Sequence, residues 1–70
     1  MIFRHTTLAD AVAEFNRYNR EKIVIADANV AQRMIGGTFT TSEVKRFALV
    51  VRDVLGLNIE NRDDQIVISR

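Results

Sequence analysis

Most side chains in this sequence that could do covalent or metal chemistry lack the partners such chemistry requires. His5 is the single histidine, and there is no cysteine to share a metal with it, so it reads as a strand-end or surface histidine. Ser42 and Ser69 have no histidine placed to activate them as nucleophiles. The pair Gly36-Gly37 has neither the spacing of a phosphate-binding loop nor a following Lys-Ser/Thr. Asp63-Asp64 reads as a solvated turn rather than an acid-base pair. No catalytic, cofactor or metal site is expected, and the chain reads as non-enzymatic. What remains is Asn16-Arg17-Tyr18-Asn19, a cluster of amides, a guanidinium and a phenol suited to recognition rather than reaction. It has two readings. As a fold-holding device, the asparagines satisfy backbone groups at a helix exit and the Tyr18 ring packs at the core edge. Arg17 then pairs at the surface with Glu14, Glu21 or Asp27, worth about 1 kcal/mol or less. As a partner-binding site, it offers the arginine and aromatic side chains that dominate interface energetics.

The elements that position this cluster follow from periodicity. Leu8, Ala11, Val12, Phe15 and Tyr18 recur at helical spacing, which predicts a helix from about Leu8 to Tyr18 or Asn19. Thr7 with Asp10 forms a capping-box pattern at its start. Ile23, Val24 and Ile25 form a β-branched run expected of a strand in the middle of a sheet. Met1 to Arg4 is a candidate first strand. In Ala26 to Arg33, Asp27 can cap one helical turn, and Met34 to Phe39 should be a strand bent or bulged at its glycine pair. Thr40 and Glu43 pattern as a second capping box, before a stripe of Val44, Phe47, Ala48, Val51, Val54 and Leu55 that closes at Gly56. Leu57 to Glu60, a turn at Asn61 to Asp64, and Ile66 to Ile68 complete a hairpin.

An offset of 36 aligns Phe3 with Phe39, Leu8 with Val44, Ala11 with Phe47, Val12 with Ala48, Phe15 with Val51, Tyr18 with Val54 and Ile23 with Ile59. Periodicity alone would align any two helices. It would not also bring the flanking strands into register, so the alignment points to a duplicated strand-helix-strand unit. The fold class expected is α+β: two βαβ units with a terminal β-hairpin, their two helices packed between small sheets.

Composition excludes several classes of function. Seventy residues, 47% hydrophobic and 27% charged, make one small folded domain that buries only about 60% of its extended surface. Ten basic and nine acidic residues are interspersed and sum to +1. That balance offers no basic stripe for nucleic acid. Phe3, Phe15, Phe39 and Phe47 could form a base-stacking platform, but their positions fit a core better. No run approaches the roughly 20 apolar residues of a membrane span, and there is no signal-peptide pattern.

The residues Leu8-Ala9-Asp10-Ala11-Val12, Phe15-Asn16-Arg17-Tyr18-Asn19, Lys22-Ile23-Val24-Ile25-Ala26-Asp27 and Gly37-Thr38-Phe39 carry a resemblance that runs from Phe3 to about Ile68. In that order and spacing the chain resembles the C-terminal domain of FecR-type anti-sigma regulators, which is similar to the short domain at the N-terminus of secretins and TonB-dependent transporters. The resemblance implies a periplasmic protein-interaction domain of an inner-membrane regulator. Its partner would be the N-terminal signalling domain of a TonB-dependent outer-membrane transporter. The membrane span, and the cytoplasmic part that holds a sigma factor, would then lie upstream of Met1. Contact is expected through an exposed strand edge or the surface around Arg17. The alternative within binding modules is the signalling domain of a transporter or secretin itself, and the alternative outside that class is a small nucleic-acid-binding module.

Overall fold

The structure, a computed structural model, describes residues 1–70. In chain order its elements are β1 (Ile2–Thr7), α1 (Leu8–Tyr18), β2 (Lys22–Ile25), α2 (Ala28–Ala31), β3 (Met34–Thr38), α3 (Val44–Leu55), β4 (Asn58–Arg62) and β5 (Gln65–Ser69). Helix α1 starts where its cap predicts, with Thr7 Oγ1 accepting the N–H of Asp10 at 3.2 Å. The single turn α2 forms in the same way under Asp27, whose carboxylate accepts the N–H of Asn29 at 2.8 Å. At α3 only the reach-back half of the predicted box is made: Glu43 Oε1 accepts the Thr40 N–H at 2.7 Å, while the Thr40 hydroxyl lies 3.4 Å from Ser42 Oγ. Gly56 ends α3 in the left-handed region at φ 68°, donating its N–H to Arg52 O at 3.0 Å.

The strands form two sheets, an antiparallel pair β1-β3 and a three-stranded sheet in the order β2-β5-β4. β5 runs parallel to β2 and antiparallel to β4. This corrects the expectation of a central β2. The strand returning from the hairpin takes the centre, its Ile66 and Ile68 fully buried, and β2 lies at an edge, where Ile23 is buried and Val24 exposed. β1 runs on to Thr7, beyond the predicted Arg4. The bulge lies in β1 rather than in the glycine strand: Phe3 faces Gly37 and Thr6 faces Ile35, so Arg4 and His5 oppose one residue, and His5 takes φ 49°. Opposite that bulge Gly37 has φ 134°, a backbone state closed to most L-residues, whereas a Cβ on Gly36 would make only an ordinary 3.4 Å contact with the Phe3 carbonyl oxygen.

The 36-residue offset places α1 on α3 and β2 on β4. It fails at the first strand, because β3 ends at Thr38 and a turn precedes α3. In each half the helix still connects a strand of the two-stranded sheet to a strand of the three-stranded one. The architecture is therefore α+β, with the buried helix stripes set between the inward residues of the two sheets in a single core.

At the centre of that core four phenyl rings converge. Phe15 and Phe47, one from each helix, lie 4.6 Å apart between centroids, and Phe3 and Phe39 lie 5.9 Å apart. All four are buried, which removes them from any exposed stacking platform. Tyr18 and Val54, placed on the helix stripes by the sequence, point out instead, at 57% and 70% exposure. They are equivalent under the repeat. Each sits about 80° around the helix from the first residue of its stripe, outside the arc of the four buried residues, if every residue turns about 100°.

The exposed carboxylates contribute a small acid sensitivity. The Thr40 N–H and then the Arg46 guanidinium hold the Glu43 carboxyl below the usual glutamate range, and Arg62 does the same for Glu60. Groups lowered by folding stabilise the native state above their unfolded pKa and lose that contribution as pH falls through the folded value. The melting temperature is accordingly expected to fall on acidification from about pH 4.3 downwards, and Glu43→Gln to flatten part of that fall. Identical pH profiles for the variant and the parent would show that the contact contributes nothing.

Candidate functional site

Because α1 ends at Tyr18 and β2 begins four residues later, the polar cluster lies against the free side of β2. The backbone groups of Lys22 and Ala26 face β5, donating to Asp64 O at 3.1 Å and Ile68 O at 2.9 Å. Strand alternation then turns those of Ile23 outward. Asn16 meets them with its side-chain amide: Oδ1 accepts the Ile23 N–H at 2.8 Å, and Nδ2 donates to the Ile23 carbonyl at 3.0 Å. One side chain thus does the work of a neighbouring strand at that residue. Asn19 Nδ2 donates to Phe15 O at 2.9 Å and to Thr41 O at 2.6 Å, tying the end of α1 to the turn before α3. Lys22 Nζ adds bonds to the carbonyls of Asn16 and Asn19, both 2.6 Å, at the negative end of the helix dipole.

Arg17 and Tyr18 take no part in this clasp. The Arg17 side chain is 69% exposed, its one ion pair is a 3.5 Å contact with an accessible Glu14, and its guanidinium lies 5.9 Å from the centroid of the Tyr18 ring. Glu21 and Asp27, the other predicted partners of Arg17, make no salt bridge with it. Arg17 borders a groove of about 520 Å³ between the start of β1 and the outer side of α1, where Ile2, Asp10, Ala13 and Glu14 also line the wall. The four residues singled out by the sequence therefore divide by helical spacing, Asn16 and Asn19 three apart on one side and Arg17 and Tyr18 on the other. Two are spent on the fold, and two present a cation and an aromatic ring to solvent.

Sequence reasoning did not find the partners of the clasp, Ile23, Thr41 and Lys22, since Ile23 and Thr41 contribute only backbone atoms and Lys22 only a side-chain tip. No three histidine, cysteine, aspartate or glutamate side chains converge anywhere on the chain. His5 stands alone at the β1 bulge. No helix is long and apolar enough to cross a membrane.

No protein-family model and no curated protein matches the sequence. Among solved structures, two crystal structures of a candidate anti-sigma factor from Parabacteroides distasonis ATCC 8503, at 2.50 and 1.65 Å resolution, match the whole chain. Their TM-scores are 0.79 and 0.81, each at 18% sequence identity. The chain spans 33% of the length of each of those chains. At that identity the likeness is one of fold: this chain has the architecture found in one third of a candidate anti-sigma factor.

Proposed function

We propose that this chain is the periplasmic interaction domain of a FecR-like anti-sigma regulator, a non-enzymatic module that receives a signal from the N-terminal signalling domain of a TonB-dependent outer-membrane transporter. The observation that carries the reading is the agreement between the fold likeness over the whole chain and the independent sequence resemblance from Phe3 to Ile68. In this reading the ligand-loaded transporter alters its contact with the domain. The change passes through a membrane span to a cytoplasmic part that holds a sigma factor, both outside these residues. The domain itself contributes recognition. The pair Arg17 and Tyr18 is the surface we assign to it, with Asn16 and Asn19 holding the helix end that presents them.

An exposed ion pair contributes little to a fold, whereas an arginine desolvated at an interface contributes more. Arg17→Ala should therefore weaken binding to the transporter signalling domain by at least about 1 kcal/mol, a loss of roughly fivefold, with a smaller effect on stability. Calorimetric titration and a thermal melt on the same variant check both halves. Unchanged affinity with lowered stability would make the whole cluster a structural clasp and remove the assigned surface.

A further inference from the structure

The two sheets leave four strand edges, and three of them are guarded. On β1 the bulge disturbs the ladder, and the Thr6 hydroxyl occupies both backbone groups of Arg4, accepting its N–H at 3.1 Å and donating to its carbonyl at 3.4 Å. On β2 the Asn16 amide covers Ile23 in the same manner. On β4 the Glu60–Arg62 ion pair, at 2.8 Å, places charge along the edge. A copy laid antiparallel about the middle of β4 would also set Glu60 against its own equivalent. Charges, bulges and capped backbone are the devices by which strand edges avoid pairing.

On β3 the one such guard is Arg46, and it stands only at the Thr38 end of the strand. Met34-Ile35-Gly36-Gly37-Thr38 carries no charge and no proline, and the bulge lies on its partner strand. Hydrogen bonds at the two ends of the ladder, Phe39 N to Met1 O at 2.9 Å and Leu8 N to Arg33 O at 2.7 Å, fix which groups face β1. Alternation from those ends turns Ile35 and Gly37 inward and leaves the backbone groups of Met34, Gly36 and Thr38 on the free side. Of these, the Thr38 carbonyl accepts Arg46 Nη2 at 2.8 Å with one of its two lone pairs.

We propose that this edge pairs with the same edge of a second copy of the chain, antiparallel and two-fold about Gly36, joining two β1-β3 sheets into one of four strands. The register is self-complementary. Met34 meets Thr38 of the second copy, Gly36 meets Gly36, and every outward N–H faces a carbonyl. The axis falls where no side chain can collide and no like charges meet, unlike the axis on β4. Pairing also covers apolar surface: Ile2 lies beside Thr38 on the ladder, so Ile2 and Met34, 66% and 54% exposed, come to flank the new strand junction. A five-residue strand makes a small interface, so the dimer is weak, with a Kd in the range of roughly micromolar to millimolar. The inference rests on the β3 edge and not on Arg17 and Tyr18, which lie on α1, although Ile2 borders both surfaces.

Sedimentation velocity from about 10 μM to about 1 mM should show the chain passing from monomer to dimer. Amide exchange at Met34, Gly36 and Thr38 should slow with concentration, while Ile35 and Gly37 stay constant. Gly36→Lys puts two like charges at the axis, and its Cβ meets nothing closer than the Phe3 carbonyl oxygen at 3.4 Å, an ordinary contact. It should weaken association at least about tenfold, a loss of about 1.4 kcal/mol, with the monomer still folded. Met34→Pro, which removes an outward N–H at the start of the strand and leaves the bonds to β1 intact, is the second variant should the first fail to fold. A chain that stays monomeric over the whole range would overturn the proposal. So would a dimer that survives both substitutions, or one that protects amides of β1, β2 or β4 instead.

Discussion

Phe15→Ala is expected to leave the domain largely unfolded at room temperature. Phe15 is fully buried, its ring lies 4.6 Å from Phe47 and 5.8 Å from Phe39 between centroids, and it joins α1 to the core shared by both sheets. Truncating such a phenylalanine costs about 3–5 kcal/mol, through lost transfer free energy and the cavity left behind. A single core in a chain of this size supplies roughly the same amount in total. Urea unfolding followed by circular dichroism checks the outcome, with Val54→Ala as the control. Val54 belongs to the apolar stripe of α3 by sequence but is exposed, so its truncation should stay within about 0.5 kcal/mol of the parent. A cooperative Phe15→Ala transition close to the parent's would mean that α1 does not bury this face.

The second large effect is expected at Asn16. Its two bonds to Ile23 stand in for a strand on the free edge of β2, and they lie in a partly buried site. Removing the amide leaves a backbone donor and acceptor short of partners, at a cost of about 1–3 kcal/mol. At roughly 4–8 °C per kcal/mol for a domain of this size, Asn16→Ala should lower the melting temperature by several degrees or more. Asn16→Asp should not rescue it, because a carboxylate can still accept the Ile23 N–H but cannot donate to the Ile23 carbonyl. Equal melting temperatures for parent, alanine and aspartate variants would show that water replaces the clasp at no cost.

These two residues also show how far the sequence could be read. Phe15 was legible because a helix buries every third or fourth residue, and its neighbours Leu8, Ala11 and Val12 repeat the signal. The caps at Thr7, Asp27 and Gly56 were legible because their chemistry is local, and so was the hairpin turn, although it is shorter than the expected Asn61 to Asp64 because Asn61 and Arg62 pair in β4 with Ile66 and Gln65. What was not legible is long-range. Three consecutive β-branched residues cannot report whether a strand lies at the centre or the edge of a sheet. β2 became an edge only because β5, 43 residues further on, pairs alongside it with Lys22 opposite Gln65. The Asn16–Ile23 clasp depends on that edge, so a sequence that misplaces β2 cannot find it. The cluster could be marked as unusual, but its division into holding and exposed residues required the end of α1 to be set against β2.

The most direct test of the proposed role is to titrate the isotope-labelled domain with the N-terminal signalling domain of a TonB-dependent transporter from the same organism, and to follow backbone amide chemical shifts by NMR. The account predicts saturable shifts centred on Arg17, Tyr18 and the adjoining groove residues Ile2, Ala13 and Glu14. The spectrum of an Arg17→Ala variant should move only at higher partner concentrations. Absence of any shift at saturating partner, or shifts confined to the hairpin from Leu57 to Ser69, would contradict it.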